Sequence, residues 1–132
     1  MNKLFVTLLC ALLSASLSFA AVEQAPLQVR SNMGLLNITS LHESLQIRNI
    51  IVNRKNCTAI IDISEKNRSF GFGESVLVTT ITRKDDNGLL YLTPAESGKM
   101  SYEAGVAGGG MCRILEVQIE TNQGSWVFRF NQ

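Results

Sequence analysis

The 132-residue chain predicts an all-β body, a small antiparallel sandwich with immunoglobulin-like or Greek-key connectivity. Three observations lead there. Short runs rich in β-branched residues alternate with turn signals along the whole length, only one short helical signature interrupts them, and the chain ends in a hairpin pattern. A partly open barrel is the alternative arrangement of the same strands.

The amino terminus comes before that body. Lys3 precedes an apolar run from Leu4 to Leu13, and Ser18-Phe19-Ala20 puts small residues at the two positions a signal peptidase reads. Residues 1–20 are expected to be a cleaved secretory signal, leaving 21–132 as one domain in the periplasm or secreted. Cys10 sits inside the apolar run behind Leu9, whereas a lipidation site wants a small residue before its cysteine. Beyond the signal, no stretch approaches the roughly 20 apolar residues a membrane span requires.

Leu27 to Arg30 is expected to be a short edge strand behind Pro26, and Asn32-Met33-Gly34 a turn into a strand from Leu35 to Thr39. Ser40-Leu41-His42-Glu43 has the spacing of a helix capping box, predicting one or two helical turns through Leu45. From Leu45 to Arg54 the apolar positions change parity between Ile47 and Ile50. This predicts a bulge around Arg48-Asn49 or a strand buried on both faces, central in either case. Thr58 to Ile63 is the next strand, and Val76 to Arg83 an interior one. Asn87-Gly88 fits the positive φ angles of a type I′ turn, so Leu89 to Thr93 should fold back on that strand. Ala95 to Gly110, with Gly98, Gly105, Gly108, Gly109 and Gly110, reads as a long mobile connection after Pro94.

The terminal hairpin carries the clearest pattern. Leu115, Val117, Ile119 and Thr121 alternate with Glu116, Gln118 and Glu120, while Trp126, Phe128 and Phe130 alternate with Val127, Arg129 and Asn131. An even-numbered loop keeps both apolar rows on one face, pairing Thr121 with Trp126, Ile119 with Phe128 and Val117 with Phe130; an odd loop would mix the faces. Cys57 and Cys112 are the only cysteines left after the signal, and the oxidising compartment that export implies predicts that they form a disulfide. Strict alternation would put Cys112 on the wet face, so a bulge or strand end near Arg113-Ile114 must turn it inward.

Composition and residue inventory weigh against several functions. Without Lys3 the basic and acidic side chains balance, which argues against a nucleic-acid partner. One histidine, His42, and two paired cysteines supply neither a catalytic triad nor a zinc site, and Asp85, Asp86 and Asn87 lack the further ligands of a calcium loop. No carboxylate pair is marked out for glycoside cleavage, and the glycine run lacks the Lys-Ser or Lys-Thr of a phosphate loop. Asn37, Asn56 and Asn67 head Asn-x-Ser/Thr triplets at a frequency chance explains. The expectation is a protein without catalytic residues, metal or cofactor, an exported binding or accessory protein of the bacterial envelope. It would belong to a surface, secretion or conjugation assembly and meet a protein partner through an exposed strand edge, Trp126, or the loop with Gly105, Gly108, Gly109 and Gly110. The alternative is a small periplasmic inhibitor or immunity protein that blocks a hydrolase with the segment Ala95 to Met111.

Overall fold

A computed structural model describes residues 24–84 and 88–131. The expected signal with Cys10, and the turn residues Asp85, Asp86 and Asn87, lie outside the described residues. Among the described residues eight strands form two sheets: β1 (Leu27–Asn32), β2 (Leu35–Ser40), β3 (Ile47–Val52), β4 (Thr58–Asp62), β5 (Ser75–Ile81), β6 (Leu89–Leu92), β7 (Glu116–Thr121) and β8 (Gly124–Arg129). A five-stranded sheet runs β1-β2-β5-β4-β6 and a three-stranded sheet runs β3-β7-β8. All pairings are antiparallel except β4 with β6. This is a small β-sandwich, with Leu36, Ile38, Val78, Ile50, Val52, Val117 and Ile119 filling the space between the sheets.

Most strands fall where the alternation puts them, and the parity change in β3 is a register shift between Ile47 and Asn49. β3 is nevertheless the edge of its sheet, not its centre. Of its residues only Ile50 and Val52 are buried, in the core between the sheets, and the chain entering β6 passes close to the strand: a Cβ on Gly88 (φ +79°) would stand 2.9 Å from Asn49 Oδ1 and 3.1 Å from the Ile50 carbonyl. β6 does not fold back on β5, because β4 lies between them and Ala59 N donates to the Gly88 carbonyl.

The helix is not where the first capping box puts it. At Ser40 the hydroxyl accepts from His42 N within a local turn, and Leu45 and Phe70 exchange both backbone bonds, drawing the segment out as a bridge. Ala95 to Gly110, expected as a glycine-rich connection, is mostly helix α1 (Pro94–Val106). Thr93 Oγ1 accepts from Glu96 N and contacts the Glu96 carboxylate, and Pro94 occupies the first turn. Ala104 and Met100 then pack on Ile60 and Ile81, on the outer face of the five-stranded sheet. With α1 on one side and the three-stranded sheet on the other, β4 is buried from Thr58 through Ile61.

Cys57 and Cys112 form the predicted disulfide, joining the start of β4 to the segment before β7, Cα–Cα 6.2 Å. Both cysteines are buried. Such a bond is favoured in an oxidising, extracytoplasmic compartment. No helix among the described residues is long and apolar enough to cross a membrane.

Candidate functional site: the seam beside the last strand

Two open sheets leave four edge strands, β1, β6, β3 and β8. β3 packs beside β4 and β6, and β1 and β8 are the edges of the two sheets farthest from that contact. β6 is further flanked by α1 and by the 3-10 turn Ile63–Glu65. At β6, burial pushes the Tyr91 phenol above its ordinary pKa, and the Lys66 ammonium lies 5.9 Å from its ring. The edges β1 and β8 are less closed. The inward residues Val29, Trp126, Phe128 and Phe130 reach the core but remain only half-buried.

The terminal hairpin keeps the predicted parity with a register shifted by two. Its loop is Asn122-Gln123, so Ile119 faces Trp126 and Val117 faces Phe128, and Thr121 pairs with Gly124 instead of Trp126. Side-chain hydrogen bonds select this loop. Thr121 Oγ1 donates to the Gly124 carbonyl and accepts from Gln123 N, while Asn122 Oδ1 accepts from Gln46 N and its Nδ2 donates to Ser44 O. Gly124 holds φ +127°, with the Trp126 ring only 3.1 Å from where a Cβ would stand.

Phe130 N donates to the Leu115 carbonyl, which fixes the phase of the ladder. Because bonded and non-bonded pairs alternate in an antiparallel ladder, Gly124, Trp126 and Phe128 point their backbone groups at β7, and Ser125, Val127 and Arg129 point theirs away. Among the described residues no strand receives them. The side chains of Ser125, Val127 and Arg129 are also the exposed ones.

At the root of the hairpin, Asn53, Arg54 and Lys55 have φ of 49°, 54° and 73°. A left-handed residue costs roughly 1–2 kcal/mol, least for asparagine. The turn is held by Asn53. Its Oδ1 accepts from Leu115 N at 2.8 Å and Glu116 N at 3.1 Å, and its Nδ2 donates to the Arg113 carbonyl at 2.8 Å. These bonds take the place of a ladder partner where the chain changes parity: Cys112 and Ile114 are buried, Leu115 is exposed, and Val117 is buried again. Leu115, expected in the apolar row, is therefore turned outward by the strand end that brings Cys112 in.

The same turn carries Arg54 over β7. Glu116 receives Arg54 Nε at 3.2 Å on one carboxylate oxygen and Arg129 Nη2 at 3.3 Å on the other. Glu116 is largely covered, while both guanidinium side chains remain mostly exposed, 83% and 74%. With Asn53, Asn56 and Leu115 they line an open groove of about 440 Å³ at the end of β8. A separate clamp, in which Glu65 and Glu74 hold Arg68 at 2.7 and 2.6 Å and raise its pKa, sits over Phe70; every charge in it is already engaged.

The glycines singled out from the sequence lie elsewhere, against α1 and β5. Gly105 is inside the helix, Gly108 (φ +96°) ends it, and Gly109 and Gly110 donate to the Ala104 carbonyl. A Cβ on Gly109 would stand 2.7 Å from Thr82 Cβ, and Thr82 N donates to the Gly110 carbonyl. They are not brought together with Trp126, which faces the core from the other sheet. His42 is partly exposed, and its Nδ1 accepts from Ser44 N. Among the described residues no three His, Cys, Asp or Glu side chains group as metal ligands. Sequence reasoning missed Asn53, Arg54 and Glu116. The available signal was an asparagine, tolerant of positive φ, closing a strand three residues before Asn56-Cys57.

No family model, curated protein or solved structure matches the chain.

Proposed function

We propose that this protein is a non-enzymatic, exported binding module of the bacterial envelope, and that its working surface is the free edge of β8, where a protein partner adds a strand. The observation that carries this reading is the outward ladder of Ser125, Val127 and Arg129, backed by three half-buried aromatic side chains. An unpaired strand edge is costly to leave exposed, because it is a template for any extended chain. Main-chain bonds along such an edge give affinity, and the side chains beside it give choice of partner. The expected signal segment and the disulfide favour an extracytoplasmic setting for this contact. For the inhibitor alternative, Ala95 to Met111 would offer the exposed face of a helix, with Tyr102 and Val106 in solvent, in place of a flexible loop.

Val127→Pro tests the proposal. Proline there removes an outward N–H and leaves the bonds to β7 in place, the one position type at which a strand tolerates it. Stability should change by less than about 1 kcal/mol, since no ladder bond is lost. Crosslinking in envelope extract followed by mass spectrometry should lose its β8 crosslinks in the variant. Crosslinks that map to β8 and survive Val127→Pro, or map only elsewhere, would reject the edge as the working surface.

A further inference from the structure

From the charges at the end of β8 we infer the chemistry of the segment that docks there: an extended strand with apolar side chains on its inner face and an acidic side chain opposite Arg129. This rests on the edge reading above and goes beyond it by naming what the edge selects.

An added strand places its residues in rows that continue those of β7 and β8. On the outer face the rows are Glu116 beside Arg129, Gln118 beside Val127, and Glu120 beside Ser125. The first of these rows ends on a cation. Arg129 already shares Glu116 with Arg54, so two guanidinium groups stand around a single carboxylate. One positive charge is left over at the rim of the groove, with most of both arginine side chains in solvent. A second carboxylate at the next position in that row would complete the set with two pairs, and Arg presents further N–H donors for it. A basic residue in the same place would meet the excess positive charge and be disfavoured. In the middle row the exposed Val127 calls for a β-branched neighbour. On the inner face Trp126 and Phe128 lie beside the position where the segment's alternate side chains enter, which favours apolar ones.

The test uses two capped peptides, Glu-Val-Thr-Val-Thr and Lys-Val-Thr-Val-Thr, titrated into the folded domain and followed by amide chemical shifts. Shifts should centre on Ser125, Val127 and Arg129 and reach Arg54. The glutamate peptide should bind about fivefold more tightly, the upper end for a favourable cross-strand charge pair. Its advantage should shrink in high salt and reverse in Arg129→Glu. Equal affinity of the two peptides at β8 would overturn the charge assignment while leaving the edge reading intact. Shifts elsewhere, or none at all, would overturn both. A sedimenting dimer that neither peptide disturbs would assign the edge to a second copy of the chain and overturn the inference of an acidic partner.

Discussion

The first strand and the last are both edges remote from the β3–β6 contact, yet their outward residues defend them differently. β1 begins behind Pro26, and its outward side chains are Gln28, Arg30 and Asn32. Proline and charge along an edge are the usual means of keeping foreign strands away. β8 has neither proline nor bulge. Its register with β7 runs unbroken over six pairs, and the middle of its exposed row is Val127. Two strands with the same topological standing thus carry different outward rows: β1 is polar throughout with Arg30 at its centre, while β8 has Val127 at its centre and its one charge, Arg129, at the end. Position in the sheet alone does not make a docking edge; the residues that face outward decide it.

The second difference is in how each edge is anchored. β1 is held by its hairpin to β2, whose turn at Met33-Gly34 is pinned where the Thr80 N–H and hydroxyl donate to the Gly34 carbonyl. The β7–β8 hairpin is held at its root by the disulfide and by Asn53. Replacing both Cys57 and Cys112 with alanine is the largest perturbation open to test. Releasing a closed loop with a sequence separation of 55 should cost roughly 4 kcal/mol by the chain-entropy estimate. Denaturant unfolding measures that loss, and hydrogen exchange locates it. Protection should fall first in β7 and β8. If β1 and β2 lose protection first, the two edges are not anchored as described.

Asn53→Ala comes next in size. It removes three hydrogen bonds to the backbone at Arg113, Leu115 and Glu116 and puts a less tolerant residue at φ 49°. Water can reach part of this site, so the expected loss is about 2–3 kcal/mol, of which the φ term is about 1 kcal/mol. Asn53→Gly isolates the two contributions, because it relieves the backbone and still lacks the amide. An alanine variant as stable as the wild type would mean that the left-handed turn is held by Asn56 and the disulfide alone.

Much of this architecture could be read from residue order. Alternation located the strands, parity excluded an odd hairpin loop, and the two cysteines beyond residue 20 had one partner each. What escaped depended on contacts distant in sequence. The helix at Pro94 had its signature in Thr93-Pro94-Ala95-Glu96, but the glycines that follow each cost roughly 1 kcal/mol in a helix, and the burial of Ala104 and Met100 that offsets them is invisible locally. Asn87-Gly88 is a hairpin signal that β4 overrides by lying between β5 and β6. The two-residue shift at Asn122 preserves every face, so alternation could not detect it; the side-chain hydrogen bonds of Thr121 and Asn122 choose between the registers. Arg54 and Glu116 meet across 62 residues of chain, and no spacing rule joins them.

The smallest change in stability should give the sharpest comparison of the two edges. Gln28→Val together with Arg30→Val gives β1 the side-chain character of β8 while touching no buried contact, since both residues are exposed. Surface substitutions of this kind usually stay within about 0.5 kcal/mol, and the β-propensity of valine pushes slightly toward stability. The defence lost is against association, not unfolding. Sedimentation over a range of concentrations should therefore show the double variant self-associating at concentrations where the wild type does not, with an unchanged denaturation midpoint. Restoring arginine at position 30 alone should recover most of the difference, because a charge at an edge must be desolvated before a neighbour can pair. A double variant that sediments like the wild type would place the protection of β1 in Pro26, and the contrast between the two edges would then lie in backbone, not side chain.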